Sequence, residues 1–190
     1  MLPEHIVEVE LGATAKTTTS MFPDSPIHNS IDALATTLRE NAITCNDVEP
    51  LKRGYHSDVY RGTLNGRPVA LKQFRFKPLT DLEKIQKNLC HDAITWQKLR
   101  HPNILPFLGI DCTTSTVTPP KPCMVSPWME AGNVLETARR LKDERDSLHS
   151  LSRLIPEWLL STALGVKYLH EQGIVHGDIR SQNYKPSWES

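Results

Sequence analysis

With 190 residues, 22 basic and 22 acidic side chains and a formal net charge of zero, the chain offers no electrostatic reason to bind nucleic acid or an anionic membrane surface. No apolar run approaches the roughly 18 residues that a spanning helix requires. Met1 to Glu10, with Glu4, Glu8 and Glu10 among scattered apolar residues, lacks the basic-then-apolar layout of a signal peptide.

The length permits one domain or one and a half. The four cysteines (Cys45, Cys90, Cys112, Cys123) have neither metal-ligand spacing nor the density of a disulfide scaffold, and read as reduced thiols of a cytoplasmic protein. Residues 1–47 read as a leader. Residues 11–30 are rich in Ala, Thr, Ser and Pro without a period. Ser30 then suits an N-cap, and Ile31, Leu34 and Leu38 predict a short helix to about residue 41.

From Val48 the texture becomes that of strands. Val59 to Gly62 and Arg67 to Phe74 flank Leu64-Asn65-Gly66, and Asn-Gly between extended runs predicts a hairpin. In the second strand Ala70, Lys72 and Phe74 share one face, and Val69, Leu71 and Gln73 the other. A lysine in mid-strand is ordinarily an exposed edge charge. The helix that follows argues otherwise. Thr80-Asp81-Leu82-Glu83 is a capping box, and Ile85, Leu89, Trp96 and Leu99 form an apolar stripe that includes Asp92. A carboxylate on a buried stripe needs a partner, and the cation available in an adjoining element is Lys72.

His101-Pro102-Asn103 ends this helix. A strand broken by Pro106 is expected over Ile104 to Ile110, a Thr/Pro loop over Thr113 to Pro122, and a strand over Cys123 to Met129. Gly132-Asn133 turns into a short helix near 134–142. A last helix is predicted from Pro156 to His170, with Ile155, Leu159, Ala163, Val166 and Leu169 on one side and Gly173 closing it. Beyond it stands His176-Gly177-Asp178-Ile179-Arg180-Ser181-Gln182-Asn183. An Asp followed five positions later by an Asn, on a loop after Ile174 and Val175, is the spacing of a phosphoryl-transfer loop. The Asp can accept the proton of an attacking hydroxyl, and the Asn amide oxygen can hold magnesium. His176 reads as a packing residue.

Taken together, Asp58-Val59-Tyr60-Arg61-Gly62, Val69-Ala70-Leu71-Lys72, the helix with Asp92, HPNILPFLG at 101–109, VSPWM at 125–129 and HGDIRSQN resemble a eukaryotic protein kinase domain of the tyrosine-kinase-like serine/threonine group. The resemblance covers about residues 48–183. It implies an α+β fold: a small lobe over 48–129, with a five-stranded antiparallel sheet and one helix, then a partial helical large lobe over 130–190, with ATP bound between them. By the same resemblance Lys72 contacts the α- and β-phosphates, Asp92 pairs with Lys72, and Val59 and Ala70 touch adenine. Ser126 lies at the back of the adenine pocket, and the Met129 backbone bonds the base. Asp178 is the catalytic base, Arg180 a phosphate contact, and Asn183 a ligand of Mg2+.

Several positions depart from the family's pattern. The expected glycine-rich loop has Lys52, Gly54 and Ser57 where three glycines stand, which loosens its grip on phosphate. Asp92 is a methylene shorter than the usual Glu. Gly177 replaces an Arg that reads a phosphorylated activation loop. After Asn183 comes Tyr184 to Ser190 in place of an apolar strand and an Asp-Phe-Gly metal site, and Pro186 argues against an interior strand. The 190 residues alone are therefore expected to be inactive. The partner is expected to be a protein, and apolar residues of the Pro156–His170 helix are expected to face water and drive oligomers or docking. A pseudokinase-type binding module and a small-molecule kinase of the aminoglycoside or choline type, which share the His-Gly-Asp loop, stand as alternatives. HPNILPFLG and Val-Tyr-Arg-Gly favour the protein kinase.

Overall fold

The structure, a computed structural model, describes residues 5–7, 43–45, 47, 49–54, 57–75, 82–111, 122–142 and 147–186. The helix expected over 31–41, the capping box at Thr80-Asp81, and the Thr/Pro loop lie outside them. The chain divides into two compact units.

The first unit lies within Met21–Leu99 and Pro106–Trp128 and is built on one sheet. Its strands are β2 (Ile43–Cys45), β3 (Lys52–Arg53), β4 (Ser57–Leu64), β5 (Arg67–Phe74), β6 (Gly109–Asp111) and β7 (Cys123–Pro127). The order β2-β4-β5-β7-β6 is antiparallel throughout, with β3 also on β4. Because β2 pairs with Gly62–Leu64 and β3 with Asp58–Val59, the two are halves of one interrupted edge strand. The sheet is thus five strands wide, as the resemblance implies, and it starts ahead of Val48, inside the stretch read as leader. In the gap, the Asp47 carboxylate accepts the Arg61 backbone N–H at 3.1 Å, the group a continuous edge strand would have bonded.

The β4–β5 hairpin turns at Asn65 (φ 51°) and Gly66 (φ 79°), as Asn-Gly predicts. Along β5 burial alternates: Val69, Leu71 and Gln73 are buried, while Ala70, Lys72 and Phe74 are half-buried. Val69, Leu71, Cys123 and Val125 make a core cluster against which Ile43, Cys45, Tyr60, Leu64 and Leu108 pack. The expected strand at Ile104–Ile110 is confined to Gly109–Asp111. Pro106, exposed and without an N–H, cannot join the ladder, and pairing with β7 resumes at the Leu108 N–H, 2.9 Å from the Val125 carbonyl. Helix α1 (Leu82–Trp96) buries Leu89, Cys90, Ala93 and Trp96, and Trp96 meets the Phe107 ring at 5.2 Å.

The second unit lies within Met1–Ser20, Arg100–Leu105 and Met129–Ser190. It holds α2 (Val134–Lys142), α3 (Ser147–Glu171) and a two-stranded ribbon of β1 (His5–Val7) and β8 (Tyr184–Pro186), with Val7 opposite Tyr184. Asn133 and Glu136 cap α2 reciprocally, each side chain accepting the other's backbone N–H at 2.9 Å. The ribbon is compatible with the reading of Pro186: in a two-stranded sheet both strands are edges, so the proline stands in no interior strand.

Helix α3 begins at Ser147, well before the expected Pro156, which stands inside it. Pro156 and Ser152 are both exposed, so the carbonyl four residues earlier that loses its donor has water at hand. Trp158, Gly165 and Leu169 form the buried side of α3. Ile155, Leu159, Leu160 and Leu164 are exposed, at 46, 65, 61 and 43%. The exposed stripe therefore runs as expected, except that Leu169 belongs to the buried side. Among the described residues, no helix is long and apolar enough to cross a membrane.

Candidate active site

The sheet unit gathers four of the sequence-named residues on one face. Directly opposed residues of an antiparallel pair share a face. Val59 stands opposite Lys72, and Lys72 opposite Met124, while Arg61 stands opposite Ala70, and Ala70 opposite Ser126. Val59, Lys72, Ala70 and Ser126 therefore occupy two adjacent rows of the face turned away from the core cluster. Ser126 is buried, and the Lys72 ammonium stands 6.0 Å from the Phe74 ring centroid. Gly54 sits in the turn before β4, its N–H bonded to the Ser57 carbonyl at 2.8 Å.

Asp92, on α1, is about three-quarters buried. Burial pushes its carboxyl pKa up from 3.8 to about 6, against the pull of His91 first and of Lys72 last. The Asp92 Oδ1 lies 3.7 Å from His91 Nδ1. The group within 3.7 Å of the Asp92 carboxylate is thus His91, which the sequence argument left out, and Lys72 exerts the weakest of the pulls on it. The signal was there: residue 91 immediately precedes the acid, and a half-exposed imidazole on the same turn of helix can swing to it.

In the second unit the loop 176–183 is held by its own polar groups. His176 is almost fully buried, and its Nδ1 accepts the Asp178 N–H at 3.2 Å. Gly177, between them, has φ 75°, with open space where a Cβ would lie, so the backbone conformation and not crowding favours glycine. Arg180 donates to Asp178 Oδ2 at 2.7 Å. The Asn183 amide donates to the Asp178 carbonyl at 3.0 Å and faces its Oδ2 at 3.3 Å. The loop therefore brings Asp178, Arg180 and Asn183 together as a carboxylate, a cation and an amide, with Asp178 partly open to solvent. Behind it, burial raises the Tyr184 phenol to about 12, offset in part by the hydroxyls of Ser161 and Thr162.

The same hydrogen bond recurs at His101, whose Nδ1 accepts the Asn103 N–H at 3.1 Å while its ring stacks on Tyr168 at 4.8 Å. Met129 is half-buried, and its carbonyl accepts the Gly132 N–H at 3.0 Å.

Each unit by itself thus groups residue types that phosphoryl-transfer chemistry uses: a lysine on a sheet face in the first, and a carboxylate, a cation and an amide on one loop in the second. A sequence model of the protein tyrosine and serine/threonine kinases matches residues 46–184. The chain is 29% identical over 132 residues to the serine/threonine/tyrosine-protein kinase HT1 of Arabidopsis thaliana, covering 68% of this chain and 32% of that protein. It is 32% identical over 130 residues to the dual specificity protein kinase zakA of Dictyostelium discoideum, covering 68% of this chain and 16% of that protein. To the human mixed lineage kinase domain-like protein it is 32% identical over 136 residues, covering 70% and 27%. The chain spans about a third or less of the length of these relatives. Since the match extends from just after β2 to the start of β8, taking in Lys72, Asp92 and the 176–183 loop, the chain belongs to the protein tyrosine and serine/threonine kinase family.

Proposed function

We propose that this chain is the ATP-binding part of a protein kinase domain, transferring the γ-phosphoryl group to a hydroxyl of a protein Ser, Thr or Tyr. The observation that carries the reading is the common face of Val59, Ala70, Lys72 and Ser126. On that face Lys72 attracts the α- and β-phosphates, and Val59, Ala70 and Ser126 offer a surface to the base, with Gly54 as a further contact. Asp178 accepts the proton of the attacking hydroxyl as its oxygen bonds to the γ-phosphorus and the bond to the β-phosphate oxygen breaks. Arg180, which donates to Asp178 Oδ2, keeps that carboxylate oriented. The donor set fits Mg2+, a hard ion that takes an amide oxygen together with phosphate oxygens and water, and Asn183 is the residue that would hold it. The ion supplies neutralisation of phosphate charge. The free thiols of Cys45, Cys90 and Cys123 support a cytoplasmic setting.

The test is a thermal-shift titration with ATP and magnesium, in which stabilisation follows RT ln(1 + [L]/Kd). Lys72→Met is expected to weaken ATP roughly tenfold, the equivalent of one charge-assisted contact, and to leave adenosine binding unchanged. Absence of any shift at millimolar ATP would remove the reading.

A second reading, a pseudokinase-type module that holds nucleotide or a protein partner without turnover, is favoured by Lys52 and Ser57 in the phosphate loop and by the exposed apolar residues of α3. ATP binding without phosphorylation of a generic protein substrate is the outcome that this second reading expects. Clear turnover that Asp178→Asn abolishes would exclude the second reading.

A further inference from the structure

The first and last described strands of the chain pair with each other. His5 stands opposite Pro186, Ile6 opposite Lys185 and Val7 opposite Tyr184, antiparallel over the full length of both strands. Ile6 and Val7 are β-branched and favour the extended backbone that this pairing needs. The kinase match begins at residue 46, so nothing in the family likeness gives His5–Val7 a role.

A two-stranded ribbon of three residues a side is too small to hold itself in water. Here the second unit supports it: β1 lies against α3 and β8 against α2. Tyr184 is buried, and its phenol faces the hydroxyls of Ser161 and Thr162 on α3. The helices thus anchor the ribbon, and the strand partner of β8 comes from β1.

β8 adjoins the 176–183 loop directly. The 3-10 turn Ser181–Asn183 passes into it without a spacer, Tyr184 being already extended at φ −111° and ψ 123°. Asn183 is buried, its N–H bonded to the Arg180 carbonyl at 2.9 Å and its amide to the Asp178 carbonyl at 3.0 Å. The residue clamped opposite Val7 is therefore one Cα step, about 3.8 Å, from Asn183.

We propose that His5–Val7 is a strap that positions the 176–183 loop: by pairing with β8 it fixes Asn183, and through the Asn183 amide the backbone of Asp178. The consequence for Mg2+ rests on the phosphoryl-transfer reading above. The consequence for the loop does not.

Amide hydrogen exchange of the full chain tests the strap. Successive residues of an antiparallel strand point their N–H alternately toward the partner and away, so one of Ile6→Pro and Val7→Pro removes a ladder hydrogen bond. That variant is expected to speed exchange of the Asp178 and Asn183 amides about tenfold, or about 1.4 kcal/mol. The Ile174 amide, bonded to the Leu169 carbonyl at 2.8 Å, should stay as in the parent. Val7→Thr keeps the N–H and the β-branch, and should exchange like the parent. Faster exchange confined to Tyr184 and Lys185 would make the ribbon a mere tie, and overturns the proposal. So does parent-like exchange in both proline variants. Should these fail to fold, Ile6→Cys with Lys185→Cys and His5→Cys with Pro186→Cys take their place. The two are directly opposed pairs, one hydrogen-bonded and one narrow, and the narrow one is expected to cross-link on mild oxidation. No cross-link in either overturns the proposal. By calorimetry, the gain in ATP affinity that Mg2+ brings should fall about tenfold in the effective proline variant, as for a group that orients a metal ligand. Adenosine affinity should hold. An unchanged gain overturns the magnesium part. If the parent chain binds no ATP, the nucleotide reading falls, while the exchange result still decides the strap.

Discussion

Alanine at position 62 is expected to cost the sheet unit about 2–3 kcal/mol or more, enough to remove a large part of the stability of an ordinary domain. Gly62 is buried in the second half of β4, beside β2, whose Cys45 is its partner in the ladder. A Cβ there would come within 2.7 Å of the Thr44 carbonyl oxygen and 2.9 Å of a Leu71 methyl. Neither neighbour can give way easily. Thr44 belongs to a strand paired with β4, and Leu71, only 2% exposed, is locked in the core cluster. The penalty is steric, since Gly62 is not among the glycines with positive φ. Gly66 provides the contrast: it has φ 79° and nothing within 4 Å of a Cβ, so Gly66→Ala meets only backbone strain and should cost about 1 kcal/mol. Urea denaturation of the two variants checks this. Equal midpoints would refute the close approach at Gly62.

Asparagine at position 92 is expected to stabilise the sheet unit at neutral pH and, on the proposed nucleotide-binding reading, to weaken ATP binding. The Asp92 pKa rises on folding from 3.8 to about 6, so the native state holds this proton more tightly than the unfolded chain. Between those values the native state binds more protons than the unfolded state, and stability falls as pH rises. The group is neutral in both states below about pH 4 and exerts its full penalty above about pH 6, worth about 3 kcal/mol at 1.36 kcal/mol per unit. Asp92→Asn should therefore raise the unfolding midpoint at about pH 7.5 and leave it near the parent value at about pH 4, flattening the pH profile between. A parallel profile in the two proteins would show that Asp92 ionises without penalty. The same substitution removes the charge acting on Lys72, so improved stability with weaker ATP binding is the signature of a carboxylate kept ionised for function.

Features set by neighbours in the chain were readable before any coordinates. The Asn65-Gly66 hairpin, the alternation that separates Lys72 from Leu71, and the 176–183 loop each depend on contacts a few residues apart. The loop is closed by its own His176, Asp178, Arg180 and Asn183. What escaped depends on groups distant in sequence or on preferences that tertiary structure overrides. Pro156 suits a helix start, yet α3 continues through it because its exposed position lets water serve the orphaned carbonyl. Leu169 lies at the margin of the apolar stripe, and which side of α3 it joined was decided by packing partners, not by period. The cation–aromatic contact of Arg61 with Trp128 joins two strands far apart in sequence, and no local pattern announces it. His91 was legible in position but not in orientation.

The interruption between β2 and β3 carries one more physical consequence. An unbroken outer strand would display a continuous row of free amides and carbonyls, the template on which a foreign segment can dock and fibrils can grow. Here the ladder is interrupted at Asp47, whose carboxylate takes the Arg61 N–H, and the rim carries the exposed ion pair of Glu49 and Arg53 and includes Pro50, which has no amide hydrogen to lend. That side of the protein is a poor seed for amyloid-like propagation.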